Sequence, residues 1–258
     1  MSHAPESTAH EPFPGPGQTL VLMLVFLLVA GVVQVPAFLL EQLGVHRGRW
    51  VFFLLSQAAG TAMVLWMAHA WGNRSWRDCM PFRPVSPWIW PGLVLATLGL
   101  LLCNVALDAW LCRVLPEPAW LGKAIQDGGW PAIVLGAPLS EECLFRGIVL
   151  GAFLQRYPKG KAVALSAFFF TLMHLNPWQV LAPMTLGLLA GWLVAETGSL
   201  WPALAVHALN NGLAFAAPER WEAALATWRG LAAGTALAGI GFGWLLTALH
   251  HREEPLRS

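Results

Sequence analysis

Residues 137–151 read APLSEECLFRGIVLG, and this otherwise apolar segment carries three ionisable side chains, Glu141, Glu142 and Arg146. A charged side chain inside a membrane-spanning helix costs free energy unless a partner or a water-filled cavity compensates it. Such residues are therefore candidates for a functional site. Their interpretation depends on whether the surrounding chain crosses a membrane.

The composition of the 258-residue chain is that of a multi-pass membrane protein. It is 57% hydrophobic and 11% charged, whereas soluble domains contain about 25% charged residues. The formal net charge of +1 indicates no basic surface for nucleic acid, so we expect no nucleic-acid partner. The four cysteines show no CxxC spacing, and no disulfide framework is predicted from them.

Eight apolar runs predict an all-α fold, a polytopic membrane protein with about eight transmembrane helices around a buried polar cavity. A helix needs about 20 residues to cross about 30 Å of hydrocarbon, and three of the runs are shorter than that. Tryptophans cluster at the ends of the runs, as expected for anchors at the membrane interface. The runs cover residues 20–40, 50–71, 87–107, 130–150, 162–175, 180–195, 200–215 and 230–249.

The chain is interpreted as one transmembrane domain between two polar tails. Residues 1–19 are rich in proline and contain no Lys or Arg, which predicts a disordered tail rather than a cleaved signal peptide. Residues 20–250 form the domain, its motif-bearing core is 130–216, and 251–258 is a polar tail. A small excess of Lys and Arg on one side favours cytoplasmic termini. The short loops suit the inner membrane of a bacterium.

Helix spacing separates the two adjacent glutamates. Residues four apart share a helix face, so Glu142 is expected to pair with Arg146. Glu141 points about 100° away from Glu142 and has no partner within its own helix. A buried carboxylate that is not neutralised locally suits a general base. We therefore expect Glu141 to do the chemistry and Glu142 to support it.

Two further histidines lie in later apolar runs, each paired with a residue four positions away. His174 shares a helix face with Phe170, and His207 shares one with Asn211. At a rise of 1.5 Å per residue, Glu141, His174 and His207 spread over about 10 Å of membrane depth. Helix tilt would bring them into one cavity. Taken singly, each histidine or asparagine could equally have a structural role, in which it hydrogen-bonds to a neighbouring helix.

These three patterns resemble the motifs of the CPBP family of intramembrane proteases, which includes the type II CAAX prenyl endopeptidases and bacterial Abi proteins. The family's Glu-Glu-x-x-x-Arg motif corresponds to residues 141–146. Its Phe-x-x-x-His and His-x-x-x-Asn motifs correspond to residues 170–174 and 207–211. The resemblance covers roughly residues 130–215 and leaves the first three runs and the last without a motif.

The resemblance implies an intramembrane endopeptidase acting on a peptide or protein with a membrane-embedded or lipidated end. Glu141 and His174 would activate a water, and His207 and Asn211 would stabilise the oxyanion of the tetrahedral intermediate. Supporting roles fall to the three remaining motif residues. These are Glu142, Arg146 and Phe170.

Several alternatives remain open from the sequence. A zinc-dependent protease would use Glu141, His174 and His207 as ligands, but no HExxH helix is present, and we favour a mechanism without a cofactor. A transporter or proton relay would use the same buried groups, although no internal repeat is visible. A non-catalytic membrane scaffold is the third alternative. Cys143 points away from both carboxylates, which disfavours it as a nucleophile.

Overall fold

The computed structural model describes residues 11–45, 48–118, 129–178, 180–216 and 224–250, and the secondary structure of these ranges is helical. One helix, α5, changes geometry along its length and covers residues 132–156. The other helices are α1 (Pro16–Gln42), α2 (Arg49–Gly72), α3 (Trp76–Cys79), α4 (Ile89–Val114), α6 (Lys159–Met173), α7 (Leu181–Thr197), α8 (Trp201–Ala216) and α9 (Trp228–His250).

Every predicted apolar run forms a helix, and the short α3 lies in the polar linker between the second and third runs. Among the described residues, four helices are long and apolar enough to cross a membrane, namely α1, α2, α4 and α9. The protein is therefore an all-helical membrane protein. The number of eight spans stays a prediction, because α6, α7 and α8 have only 15 to 17 residues and α5 is divided into shorter α- and π-helical segments, although α7 is also apolar.

The N-terminal tail is shorter than predicted. Helix α1 begins at Pro16, at a position where a proline's missing N–H costs nothing. Before it, Phe13 is buried and lies edge-on to Trp71, with ring centroids 6.2 Å apart. Arg156 donates two hydrogen bonds to the carbonyl of Pro12, at 3.0 and 2.7 Å. Residues 1–10 and the predicted tail at 251–258 lie outside the described residues.

Helix α5 alternates between two helical geometries. It is π-helical over Ala132–Gly136, α-helical over Ala137–Glu142, π-helical again over Cys143–Leu150, and α-helical over Gly151–Arg156. π-helical turns inside α-helices occur frequently at functional sites. The change at residue 143 directly follows the two glutamates. All eight residues of the second π-helical segment are buried, so α5 forms the centre of the protein.

Small residues set the closest helix contacts. Gly147 of α5 lies against the carbonyl oxygen of Cys79, and a Cβ at this position would overlap that oxygen. Helices α4 and α9 pack along glycines in the same way, because a Cβ on Gly99 or Gly241 would meet backbone atoms of the other helix. Such small residues let transmembrane helices approach closely.

Candidate active site

The predicted pair between Glu142 and Arg146 is present and completely buried. Arg146 Nε lies 3.1 Å from Glu142 Oε2, and both side chains have no solvent exposure. The contact is electrostatic, since these two atoms do not meet hydrogen-bond geometry. Arg146 is also held from helix α7, because its Nη2 donates to the carbonyl of Gly187 at 3.1 Å. The pair thus joins α5 to α7.

Glu142 has a second partner, His207 of α8. His207 Nδ1 lies 2.8 Å from Glu142 Oε1, and His207 Nε2 lies 3.8 Å from Glu141 Oε2. An ionised carboxylate only accepts hydrogen bonds, so Nδ1 is the nitrogen that donates to Glu142. This contact fixes the imidazole ring and directs Nε2 towards Glu141. His207 therefore lies between the two glutamates.

Glu141 is the accessible acid of this group. Its side chain is 22% exposed, whereas the side chains of Glu142 and His207 are 0% and 4% exposed. A carboxylate that must meet a water and a substrate has to be reachable. Glu141 is thus the more accessible of the two acids, and its catalytic role stays a prediction.

His174 lies at the end of α6, where it caps the helix. Its Nδ1 is 3.0 Å from the carbonyl oxygen of Phe170, one turn earlier. A carbonyl oxygen only accepts, so Nδ1 carries the hydrogen and Nε2 presents a lone pair. An imidazole in this tautomer is able to take a proton from a water at Nε2.

The Phe170 ring contacts both histidines and the arginine. Its centroid is 5.1 Å from that of His174 and 5.6 Å from that of His207, and both rings meet it edge-on. Arg146 Cζ lies 4.4 Å from the same centroid, close enough for a cation–π interaction. Phe170 thereby brings the second motif next to the other two.

Asn211 is hydrogen-bonded to helix α5 and, within the described residues, makes no hydrogen bond to the glutamates. Its Nδ2 donates to the carbonyl of Ile133 at 3.0 Å, within the first π-helical segment. Its Oδ1 accepts from Asn210 Nδ2 at 3.2 Å. An amide nitrogen carries two hydrogens, which leaves Asn211 one further donor.

Sequence reasoning missed a set of buried polar contacts around the site. Ser140, next to Glu141, donates to Gln57 Oε1 of α2 at 2.6 Å. Asn104 of α4 donates to the hydroxyl of Thr185 of α7 at 2.9 Å. The sequence did contain a sign of these contacts, because a polar side chain within an apolar run of a membrane protein usually hydrogen-bonds to another helix.

The described residues do not fit the zinc alternative. Among them, no three His, Cys, Asp or Glu side chains are arranged to hold a metal ion. Of the three proposed ligands, Glu141 and His207 come within 3.8 Å of each other, but His174 does not complete a metal-binding group with them. The mechanism proposed below therefore uses the side chains alone.

The motif-bearing part of the chain matches known proteins. Residues 128–213 match the family described as type II CAAX prenyl endopeptidase Rce1-like. An uncharacterised 24.3 kDa protein of Escherichia coli is 30% identical over 155 residues, an alignment that covers 54% of this chain and 67% of that protein. No solved structure matches the chain. The matched region includes all seven residues of the three motifs.

Proposed function

Because the chain belongs to the Rce1-like family of type II CAAX prenyl endopeptidases, we propose that it hydrolyses peptide bonds within the membrane. Its substrate is a peptide or protein with a membrane-embedded or lipidated end. The observation that carries this proposal is the buried chain of contacts from Arg146 through Glu142 to His207 and Glu141. Such a cluster is costly in an apolar protein unless the protein uses it.

We assign water activation to Glu141 and His174. Glu141 is the partly exposed acid, and His174 Nε2 is the nitrogen that its hydrogen bond to Phe170 leaves as an acceptor. One proton of the water passes to this pair while its oxygen attacks the scissile carbonyl carbon. The proton then passes to the leaving amine as the C–N bond breaks.

Oxyanion stabilisation belongs to His207 and Asn211 in this mechanism. Protonated His207 would carry a hydrogen on both nitrogens, so that Nε2 donates to the oxyanion while Nδ1 stays bonded to Glu142. Its positive charge and that of Arg146 would balance the charges of the two carboxylates. Asn211 would supply the amide hydrogen that its bond to Ile133 leaves over.

Glu142, Arg146 and Phe170 hold the reacting groups in place. Glu142 orients His207, and Arg146 compensates the charge of Glu142 in the apolar interior. The Phe170 ring keeps the two imidazoles apart at fixed positions. Preorganised groups of this kind contribute to catalysis because they need no rearrangement during the reaction.

The test uses the purified full-length chain in proteoliposomes with a farnesylated peptide that ends in a CAAX sequence. Mass spectrometry of the peptide should show cleavage products, and the same sequence without the farnesyl group should be cleaved more slowly. If the peptide stays intact and protons cross the liposome membrane, the proposal is overturned in favour of a proton relay. A parallel sample with a metal chelator should keep its activity, and a loss that Zn²⁺ restores would contradict the metal-free mechanism.

A further inference from the structure

A polar cavity of about 460 Å³ lies where α2, α3 and α7 end against the C-terminal half of α5. This volume falls within the range of about 300–1,000 Å³ that small-molecule sites occupy. The charged side chains of its wall include Arg74, Arg83 and Asp78, and Arg146 closes it towards the glutamate cluster. Residues 147, 151 and 155 of α5 also line the cavity, so the cavity lies near the C-terminal end of α5.

Arg74 is held in place by hydrogen bonds to backbone carbonyl groups, none of which carries a negative charge. Its Nη1 donates to Ile148 O at 2.6 Å, and its Nη2 donates to Gly147 O and Asp78 O, both at 3.1 Å. Gly151 leaves the necessary space, because a Cβ there would lie 2.6 Å from Nη2. Carbonyl oxygens orient the guanidinium but carry no negative charge.

Arg83 has a fixed backbone, and no hydrogen bond holds its side chain within the described residues. Ser199 donates its hydroxyl hydrogen to Arg83 O at 2.6 Å, and Leu200 N donates to Pro81 O at 2.9 Å. Within the described part of the chain, the guanidinium of Arg83 makes neither an ion pair nor a hydrogen bond. It therefore offers all five N–H groups to a ligand.

One carboxylate does not balance the two guanidinium groups. A hydrogen bond from the Ser75 hydroxyl at 2.6 Å holds the pKa of the Asp78 carboxyl below its usual value, so this group is ionised at neutral pH. The charges of Arg74 and Arg83 further lower this pKa. Two positive charges against one negative charge leave the cavity positive.

Exposed tryptophans near the cavity indicate that it lies at the level of lipid headgroups. Four of them lie within five residues of lining residues along the chain, and tryptophan side chains concentrate at the membrane–water interface. Each of the four is at least 45% exposed. They are Trp71, Trp76, Trp88 and Trp201.

We propose that this cavity binds a phosphate group, carried by a lipid headgroup or free in solution. Arginine is the side chain whose planar fork of N–H groups matches phosphate oxygens. Arg83 provides the free fork, and Arg74 provides an immobilised positive charge beside it. This proposal does not depend on the proposed peptidase activity, because none of its evidence comes from Glu141 or the histidines.

The test compares Arg83→Gln with Arg77→Gln in the full-length chain. Arg77 lies in the same linker but does not line the cavity, so both variants lose one positive charge and only one loses the site. Native mass spectrometry from mixed phosphatidylglycerol and phosphatidylcholine nanodiscs measures the retained lipid. Arg83→Gln should retain about tenfold less phosphatidylglycerol, a typical loss for one charge-assisted hydrogen bond, and Arg77→Gln should match the parent.

A second arm identifies the source of the phosphate. Inorganic phosphate is added to the protein in pure phosphatidylcholine nanodiscs, and thermal unfolding is recorded. A rise in melting temperature that Arg83→Gln abolishes supports the site with free phosphate as its ligand. The proposal is overturned if neither anion distinguishes Arg83→Gln from the parent, or if Arg77→Gln weakens binding as much as Arg83→Gln does.

Discussion

At the scale of single residues, two adjacent glutamates have different surroundings. Glu142 is fully buried between Arg146 and His207, whereas Glu141 is partly exposed beside the other nitrogen of His207. Neighbouring helix positions point about 100° apart, and this alone places one carboxylate in the packed interior and the other at the cavity. The proposed chemistry therefore depends on Glu141 and the stability of the site on Glu142.

The first prediction concerns the stability of the buried ion pair. Arg146→Ala should lower the free energy of unfolding by about 3–5 kcal/mol, because it leaves the charge of Glu142 buried without compensation. Glu141→Gln should stay within about 1 kcal/mol of the parent, since Glu141 is partly exposed. Unfolding in detergent checks both, and equal stability of the two variants would contradict this assignment.

Cys143 provides a second prediction at this scale. Its side chain is buried, with 2% exposure, in a helix whose neighbouring position carries Glu142. Cys143→Ala should keep peptidase activity within about threefold of the parent, since the thiol takes part in no proposed step. Loss of activity in a variant that still unfolds cooperatively would show that this cysteine acts as a nucleophile.

The sequence predicted the contact within α5, but between helices it predicted only that the motif residues meet in one cavity, not which atoms touch. The spacing of four residues was enough to predict the pair of Glu142 with Arg146, because helix geometry fixes that distance. The contact of Glu142 with His207 joins residues 65 positions apart. No periodicity of one helix encodes such a contact, since it depends on how α5 and α8 pack. The same holds for Ser140 with Gln57.

At the scale of secondary-structure elements, the geometry of α5 is the feature that the sequence did not predict. The apolar run at 130–150 predicted a helix, and the structure shows one that changes three times between π- and α-helical turns. α- and π-helical turns bury the same kinds of side chain, so composition does not distinguish them. Arg74 of the linker donates to two carbonyls of the second π-helical segment, which ties α5 to the polar linker.

Helix packing gives a third prediction, which compares two glycines of α9. A Cβ on Gly241 would meet backbone atoms of Ala96 and Gly92 in α4, whereas a Cβ on Gly243 would have no atom within 4 Å. Gly241→Ala should lose about 1–3 kcal/mol of stability through overpacking. Gly243→Ala should be neutral or gain up to about 1 kcal/mol from helix propensity. Equal effects in thermal unfolding would contradict the observed contact.

At the scale of the whole molecule, the short helices are the elements whose length falls below the thickness of a membrane. Helix α6 has 15 residues, about 22 Å at 1.5 Å per residue. The hydrocarbon core is about 30 Å thick. Helix α6 therefore crosses it only where the bilayer is locally thinner, or where polar side chains at the two helix ends reach the membrane surfaces. Lys159 at its start and His174 at its end are such polar ends.

The fourth prediction is that α6 crosses the membrane. Single cysteines introduced as Lys159→Cys and Leu175→Cys should react with a membrane-impermeant thiol reagent from opposite sides of sealed vesicles. Both positions are exposed at the two ends of the helix, and the parent chain gives the background signal. Labelling of both positions from one side would show that α6 does not span the bilayer.

The architecture as a whole was largely predictable, because hydropathy determines which segments become helices in a membrane protein. All eight apolar runs form helices, and the bounds agree within four residues except at the C-terminal ends of α4 and α5, which extend seven and six residues further. The error at the N-terminus has a physical cause. Proline and polar residues suggested disorder, but Phe13 packs against Trp71, and Arg156, far along the chain, binds the carbonyl of Pro12.

The central claim is that Glu141 is the catalytic carboxylate of an intramembrane peptidase. Its most direct test measures how fast the Glu141→Gln variant cleaves the farnesylated peptide in proteoliposomes. Glu196→Gln is the matched control, because Glu196 forms its ion pair with Lys159, away from the motif residues. Glu141→Gln should lower kcat by at least about a hundredfold, the usual contribution of a general base, while the control retains activity. Parent-like cleavage by a correctly folded Glu141→Gln would contradict the claim.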